Sequence, residues 1–168
     1  SEPKSNEVLL REFSVTATEN IMIFSALMGK LTIKLGALEP HIVDLGKFLR
    51  LLGAEIDGLG TYEINVKKGI EDGHEVRYSV MNDPIEAGTF IVLGVTTRSD
   101  IVISGVPVDS LTLPLLKLEE FGARFKINGD KVKIENTGVK FKAIRKLEVR
   151  PYPGFPSDLQ APFGVLAT

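Results

Sequence analysis

Phe48–Ile56 reads FLRLLGAEI, and about 70 residues later Leu118–Lys126 reads LEEFGARFK. Each stretch has apolar residues at helical spacing, then a glycine and an alanine, and then residues typical of a strand. Because glycine readily adopts the left-handed conformation that ends many helices, both stretches predict a helix that stops at the glycine. A pattern that returns at this distance predicts a duplicated structural unit.

The sequence around Phe48–Ile56 predicts one complete unit. VLLREFSV is typical of a strand, and TATENIMIFSALMGK of a helix in which Thr16 and Glu19 have capping-box spacing. LTIKLG predicts a short strand, EPHIVDLGKFLRLLG a helix with Pro40 in its first turn, and AEIDGLGTYEINVKK a hairpin. The predicted order is strand, helix, strand, helix, strand, strand. IMIFSALM is apolar on nearly all sides, so we expect its helix to be buried between layers.

The same order is predicted a second time. HEVRYSV predicts a strand, DPIEAGTFIVLGVTTRSD a helix, IVISGV a strand, DSLTLPLLKLEEFG a helix and ARFKINGDKVKIEN a hairpin, with Pro114 expected to bend or tighten its helix start. After Asn136 a third copy begins, with strands in KFKAIRKLEVRPY and a helix in PSDLQAPFGVLAT. We therefore expect an α/β or α+β fold with helices packed on sheets, and a chain that is a fragment of a longer protein.

Composition excludes several classes of function. The net charge is −2 and the basic residues are scattered, which argues against a nucleic-acid partner. There is no cysteine and the two histidines, His41 and His74, are far apart, so we predict neither a disulfide framework nor a metal site, and no cofactor. The N-terminus lacks the features of a signal peptide, and no run of about 18 apolar residues occurs, so we expect a soluble, cytoplasmic protein that binds no membrane.

Three acidic residues precede predicted helices. In PYPGFPSDLQ, Asp158 follows three prolines and a glycine and comes just before an apolar helix. Glu39 and Asp83 each precede a proline that suits a first helical turn. Each acid has an ordinary interpretation as a helix cap, a dipole partner or a turn former. A base must also lie within hydrogen-bond reach of its proton, and a stiff approach to a helix could hold Asp158 there.

Four motifs in order, SVTATEN, LEPHIVDLGKFLRLLGAEI, DPIEAGTF and PYPGFPSDLQAPF, resemble the enolpyruvyl transferase family, and within it the UDP-N-acetylglucosamine 1-carboxyvinyltransferases. The resemblance begins at about Val8 and covers the rest of the chain. It implies an inside-out α/β barrel with two lobes of three repeated units, helices inside and sheets outside. Residues 1–81 would form the last unit of the first lobe, 82–145 a unit of the second lobe, and 146–168 the start of a truncated third unit.

The resemblance also implies a reaction. Enzymes of this kind transfer the enolpyruvyl group of phosphoenolpyruvate to the 3-hydroxyl of UDP-N-acetylglucosamine and release phosphate. This is the first committed step of peptidoglycan synthesis, and so of cell wall biogenesis, cell shape and cell division. By position in the motifs, Asp158 would be the catalytic proton-transfer residue, and Ser14, Val15, Glu39 and Asp83 would bind substrate. The residues that bind phosphoenolpyruvate belong to segments outside this chain, so we expect no turnover from the chain alone.

Three residues depart from the family pattern. Thr16 stands where the family usually has glycine, and Leu38 and Pro84 stand where it usually has arginine. Losing two guanidinium groups removes charge-assisted contacts to anionic substrates. Two alternatives therefore stay open: a non-catalytic binding or scaffold module of the same fold, and the related transferase of the shikimate pathway. Uncovered unit edges would also favour self-association.

Overall fold

The computed structural model describes residues 6–70, 73, 75–135 and 138–168. The chain divides into two compact units, unit 1 (Ser1–Met81) and unit 2 (Asn82–Thr168), each with its own hydrophobic core. His74, for which no role is predicted, and Asn136, where the third copy is predicted to begin, lie outside the described residues.

Unit 1 has the predicted order of elements. Its strands and helices are β1 (Glu7–Leu9), α1 (Val15–Met28), β2 (Lys30–Lys34), α2 (Pro40–Leu51), β3 (Glu55–Asp57) and β4 (Glu63–Lys67). The sheet order is β1-β2-β4-β3, with β1 parallel to β2 and the other pairs antiparallel. Both helices bury apolar residues against this sheet: Met22, Ala26, Ile42 and Leu49 from the helices share a core with Ile33, Ile64 and Val66 from the strands.

Unit 2 repeats the helices and the hairpin. Its elements are α3 (Pro84–Thr96), β5 (Val102–Ile103), a 3-10 turn (Val108–Leu111), α4 (Thr112–Phe121), β6 (Phe125–Asn128), β7 (Lys131–Ile134), a second 3-10 turn (Ser157–Leu159) and α5 (Gln160–Leu166). The sheet order is β5-β7-β6, all antiparallel. Pro114 lies in the first turn of α4, directly after the 3-10 turn, as its predicted tightening effect requires. Phe155, Leu159 and Phe163 from the C-terminal segment complete the core.

Both predicted helix stops are confirmed. Gly53 has φ +109° and donates its N–H to the carbonyl of Arg50 at 3.0 Å, while Ala54 donates to the carbonyl of Leu49, also at 3.0 Å. This pair of bonds is the Schellman motif, which satisfies the last carbonyls of α2. The same pair recurs at the end of α4, from Gly122 to Glu119 at 2.8 Å and from Ala123 to Leu118 at 2.9 Å.

The start of α1 differs from the prediction. The strand expected over residues 8–15 ends at Leu9, and Ser14 is the N-cap of a helix that begins at Val15. The Ser14 hydroxyl accepts a hydrogen bond from the N–H of Ala17 at 3.3 Å, so the capping box predicted at Thr16 is wrong. Serine is a preferred cap, and its side chain ends the extended segment earlier than the apolar pattern suggests.

Two predicted strands do not form. Within described residues 75–81 no strand is present; instead the Tyr78 hydroxyl donates to the Asp44 carboxylate at 2.7 Å, and the N–H of Met81 donates to the same carboxylate at 3.3 Å. Residues 140–152 contribute only an isolated bridge between Val149 and Phe155. Alternating residues favour a strand only where a neighbouring edge pairs with it, and side-chain contacts hold these segments instead.

The expectation that α1 is buried all round is also wrong. Met22 and Ala26 are fully buried against the sheet. The opposite face exposes four large apolar side chains, between 41% and 65% accessible: Ile23, Phe24, Leu27 and Met28. Unit 1 has a single sheet, which can cover only one side of this helix.

Candidate active site

The predicted nucleotide-contact residues lie at the start of α1. Because the Ser14 hydroxyl caps the helix, it is already engaged in the ordinary role that a serine has at this position. Val15 is the first helical residue, and the amides of Val15 and Thr16 lie in the first turn, where an α-helix supplies no acceptor. The positive end of the helix dipole adds to these donors, so this end of α1 can hold an anion.

Thr18 connects this helix start to the segment before α2. Its side chain is fully buried, and its hydroxyl donates to the carbonyl of Ser14 at 2.7 Å and accepts from the N–H of Ala37 at 3.0 Å. Ala37 comes shortly before Glu39, which precedes the first residue of α2. Ser14, Val15 and Glu39 are therefore brought to the same end of unit 1. Sequence reasoning missed Thr18, since its partner is distant in the chain.

Glu39 does not behave as a simple helix cap. It occupies the N-cap position of α2, but its side chain makes no capping hydrogen bond. Its Oε2 atom is shielded from solvent and has no hydrogen-bond partner in the described part of the chain. A shielded carboxylate oxygen without a donor is costly, so a ligand that supplies an N–H or O–H would be favoured here.

In unit 2, Asp83 is the N-cap of α3. Its Oδ1 accepts from the N–H groups of Ile85 at 2.7 Å and Glu86 at 3.3 Å, so its ordinary capping role is realised. The preceding residue, Asn82, donates its side-chain amide to the carbonyl of Gly105 at 2.8 Å. These bonds fix the start of α3 and leave the Asp83 side chain on the surface.

Asp158 lies in the 3-10 turn before α5 and is exposed. Its side chain makes no hydrogen bond to the described residues, whereas Phe155 and Leu159 on either side of it are buried, at 1% and 0% exposure. The Phe155 ring meets the Phe163 ring edge-on, with centroids 4.9 Å apart. Core contacts thus hold the backbone on both sides of Asp158, as the prediction of a stiff approach requires, while its carboxylate faces solvent.

Asp83 and Asp158 lie at the same end of unit 2. Leu159, at the start of α5, packs against Gly88 in the first half of α3. The C-terminal ends of the same helices, at Thr96 and Leu166, line one cavity of about 360 Å³. The two helices therefore run side by side in the same direction, with their starts together. The predicted site residues thus form two groups: Ser14, Val15 and Glu39 in unit 1, and Asp83 and Asp158 in unit 2.

Tyr78, which lies shortly before α3, has a perturbed pKa. The hydrogen bond from Tyr78 to the Asp44 carboxylate, with smaller contributions from burial and the carboxylate charge, raises the pKa of Tyr78.

Among the described residues, no group of three or more acidic or histidine side chains could hold a metal ion. Across the same residues, no helix combines the length and apolarity needed to cross a membrane.

The chain belongs to the EPSP synthase (3-phosphoshikimate 1-carboxyvinyltransferase) family, whose sequence profile matches residues 5–168. The UDP-N-acetylglucosamine 1-carboxyvinyltransferase 1 of Carboxydothermus hydrogenoformans is 41% identical over 98% of this chain and 39% of its own length. The UDP-N-acetylglucosamine 1-carboxyvinyltransferase of Thermotoga maritima is 42% identical over 88% of this chain and 35% of its own. The chain thus spans about two fifths of these relatives.

A solved structure supports the fold. The enolpyruvyl transferase NikO from Streptomyces tendae superposes with a TM-score of 0.73 and 26% identity, over 90% of this chain and 36% of NikO. The chain therefore has part of the enolpyruvyl transferase fold, and the predicted α/β class is confirmed.

Proposed function

We propose that this chain is part of an enzyme that transfers the enolpyruvyl group of phosphoenolpyruvate to the 3-hydroxyl of UDP-N-acetylglucosamine. The observation that carries the proposal is an exposed Asp158 between two buried residues, in a chain 41% identical over 98% of its length to an enzyme named for this reaction. In the proposed arrangement, residues 1–81 complete one lobe, 82–145 form a unit of the other, and 146–168 begin its next unit. The reaction would serve peptidoglycan synthesis in the cytoplasm.

Asp158 is proposed to take up the proton of the sugar 3-hydroxyl as the hydroxyl oxygen bonds to C2 of phosphoenolpyruvate, while the C2–C3 double bond opens and C3 takes up a proton. A carboxylate is suited to this step when it lies within hydrogen-bond reach of the hydroxyl. The resulting tetrahedral adduct then loses a proton from C3 and phosphate from C2, which restores the double bond and gives the enolpyruvyl ether. The buried side chains of Phe155 and Leu159 keep the carboxylate in a defined position before substrate arrives, which favours efficient proton transfer.

The uridine diphosphate is proposed to bind at the start of α1. The amides of Val15 and Thr16 offer hydrogen bonds to phosphate oxygens, and the substitution of threonine for the usual glycine at Thr16 leaves its backbone donor intact. The unpartnered Oε2 of Glu39 would accept a hydrogen bond from a ligand N–H or hydroxyl. Asp83 would bind substrate through its second carboxylate oxygen, since the first accepts hydrogen bonds from its own helix.

A second candidate is the transfer of the same group to 3-phosphoshikimate, since the matching family profile is described by that reaction. Relatives at 35% to 42% identity carry the name of the UDP-N-acetylglucosamine reaction, which favours the first candidate. A non-catalytic module is the third, motivated by Leu38 and Pro84 at positions where the family usually has arginine.

A binding experiment separates the acceptors. The chain, labelled with ¹⁵N, is titrated with UDP-N-acetylglucosamine and, separately, with 3-phosphoshikimate, and its amide signals are followed. We expect the nucleotide sugar to shift the signals of Ser14, Val15 and Glu39, while the β6–β7 hairpin of unit 2 stays unchanged as an internal control. A response to 3-phosphoshikimate alone would favour the second candidate, and no response to either would overturn substrate binding by this chain.

Turnover is tested in a chimera. This chain replaces the matching segment of the Carboxydothermus hydrogenoformans relative, and phosphate release from phosphoenolpyruvate is measured with UDP-N-acetylglucosamine as acceptor. Asp158→Asn should abolish turnover. Asp109→Asn is the matched control, because Asp109 is likewise exposed and lies near the start of the other 3-10 turn of unit 2, Val108–Leu111. Equal activity of the two variants would refute the role of Asp158.

A further inference from the structure

Gly88 in α3 faces Leu159 directly. A Cβ atom placed on Gly88 would lie 2.8 Å from Leu159 Cδ1, 3.1 Å from Leu159 Cδ2 and 3.3 Å from Leu111 Cδ2. Carbon atoms in favourable contact are about 3.5–4.0 Å apart, so a Cβ on Gly88 would require the Leu159 side chain to move. Leu159 and Leu111 are buried, at 0% and 1% exposure, and have little free space into which they could move.

The glycine is required by this contact and not by the backbone. Gly88 lies inside an α-helix and is absent from the glycines with positive φ. Alanine is preferred to glycine in a helix interior. Gly164 in α5 offers a comparison, since a Cβ placed there meets no atom within 4 Å. The same substitution therefore produces a close contact at Gly88 and none at Gly164.

We propose that Gly88 is a positioning residue for Asp158. The missing side chain sets how closely Leu159 approaches the backbone of α3, and Asp158 precedes Leu159 directly in the chain. Because the Asp158 side chain makes no hydrogen bond to the described residues, its place depends on the backbone that Leu159 and Phe155 hold. The contact thereby sets the distance of the carboxylate from the start of α3. This inference rests on the proposed function, in which Asp158 is the base.

The expected displacement follows from the distances. Restoring an ordinary carbon contact at Gly88→Ala requires Leu159 to retreat from 2.8 Å to about 3.5 Å. A misplacement of about 1 Å can lower turnover about 100-fold. We therefore expect Gly88→Ala to reduce kcat by about 10- to 100-fold in the chimera, with the KM for UDP-N-acetylglucosamine nearly unchanged, since its nucleotide contacts are proposed in unit 1.

The test uses a mutant cycle with a spectroscopic readout. The ¹³C signal of the Asp158 carboxyl and the amide signals of residues 157–160 are recorded in the unliganded chain. Gly88→Ala and Leu159→Val should each shift them, because one pushes Leu159 away and the other removes the contacting methyl carbons. The double variant should return towards the wild-type signals, and Gly164→Ala should leave them unchanged. If Gly88→Ala does not fold, recovery of folding in the double variant still tests the contact.

The outcomes distinguish the two proposals. Unshifted Asp158 signals in Gly88→Ala and Leu159→Val, or additive shifts in the double variant, would overturn the positioning role. Shifts that the double variant reverses, together with full chimera activity for Asp158→Asn, would retain the contact and overturn the proposed function. Recovery of kcat in the Gly88→Ala, Leu159→Val chimera is the result expected if both hold.

Discussion

Replacing Thr18 with valine preserves the size of a fully buried side chain and removes one hydroxyl. In the native structure that hydroxyl accepts the N–H of Ala37 at 3.0 Å and donates to the carbonyl of Ser14 at 2.7 Å. After the substitution the Ser14 carbonyl keeps its bond from the N–H of Thr18, which measures 3.0 Å. The amide of Ala37, a residue that is 0% exposed, loses its acceptor.

The cost should therefore be that of one buried, unsatisfied amide. Such a group destabilises a protein by about 1–3 kcal/mol, so we expect Thr18→Val to lower the stability of unit 1 by about 2 kcal/mol. Ser25→Ala is the matched control in the same helix. The Ser25 hydroxyl is also fully buried, but it bonds only the carbonyl of Ile21, within its own helix, at 2.6 Å. Removing this hydroxyl leaves no backbone group without a hydrogen-bond partner, so it should lower the free energy of unfolding by less than about 1 kcal/mol.

The measurement is native-state hydrogen exchange, resolved by residue, because a chain with two cores need not unfold in one step. Slow amides in α1, β2 and β4 report on unit 1, and those in α3 and β7 serve as the internal reference. Thr18→Val should accelerate exchange throughout unit 1 by about 30-fold, the equivalent of 2 kcal/mol. Equal effects of Thr18→Val and Ser25→Ala would refute the reasoning.

Three further predictions concern other contacts. The pKa of Tyr78 is raised in the folded protein, so its hydrogen bond to Asp44 stabilises the fold while Tyr78 is protonated. This contribution is complete below the ordinary tyrosine pKa of about 10, and it is lost as the pH rises through the pKa of Tyr78 in the folded protein. Asp44→Asn should lower that pKa in an NMR titration of the Tyr78 ring; an unchanged titration would contradict this cause. Gly154→Ala should lower stability in thermal unfolding by about 1–3 kcal/mol, since its Cβ would lie 2.7 Å from the backbone carbonyl oxygen of Pro151. An unchanged Tm would show that the backbone around Gly154 can adjust. Gly69→Ala should cost at least as much in denaturant unfolding, because its Cβ would overlap the carbonyl oxygen of Gly53. An unchanged free energy of unfolding would rule out so close an approach of the two backbone segments.

The helices and hairpins could be predicted because their signals are local. The stops at Gly53 and Gly122 depend on φ values that glycine adopts readily, and both appear in the structure with the same hydrogen bonds. The strand predicted around Tyr78 has equally good alternation, but a strand also needs a partner, which a local pattern does not reveal. The partly buried hydrogen bond from Tyr78 to Asp44 replaces the pairing there.

The candidate site could be predicted only in part. Asp158 was expected near a helix start because prolines, a glycine and an apolar run surround it. Thr18 and Gly88 carry no such local signal, since each acts through a residue distant in the chain: Ala37 for the hydroxyl and Leu159 for the missing Cβ. The shielded oxygen of Glu39 likewise depends on packing, which the Glu-Pro sequence does not encode by itself.

The division of the buried residues between two units bears on biosynthesis. The principal buried cluster of unit 1 begins at Met22 and ends at Val66, so every residue in it has been translated before Asn82. Domains tend to fold in the order in which the ribosome releases them. Unit 1 can therefore bury its apolar residues while unit 2 is still being made, which shortens the time for which those side chains are open to chaperones and proteases.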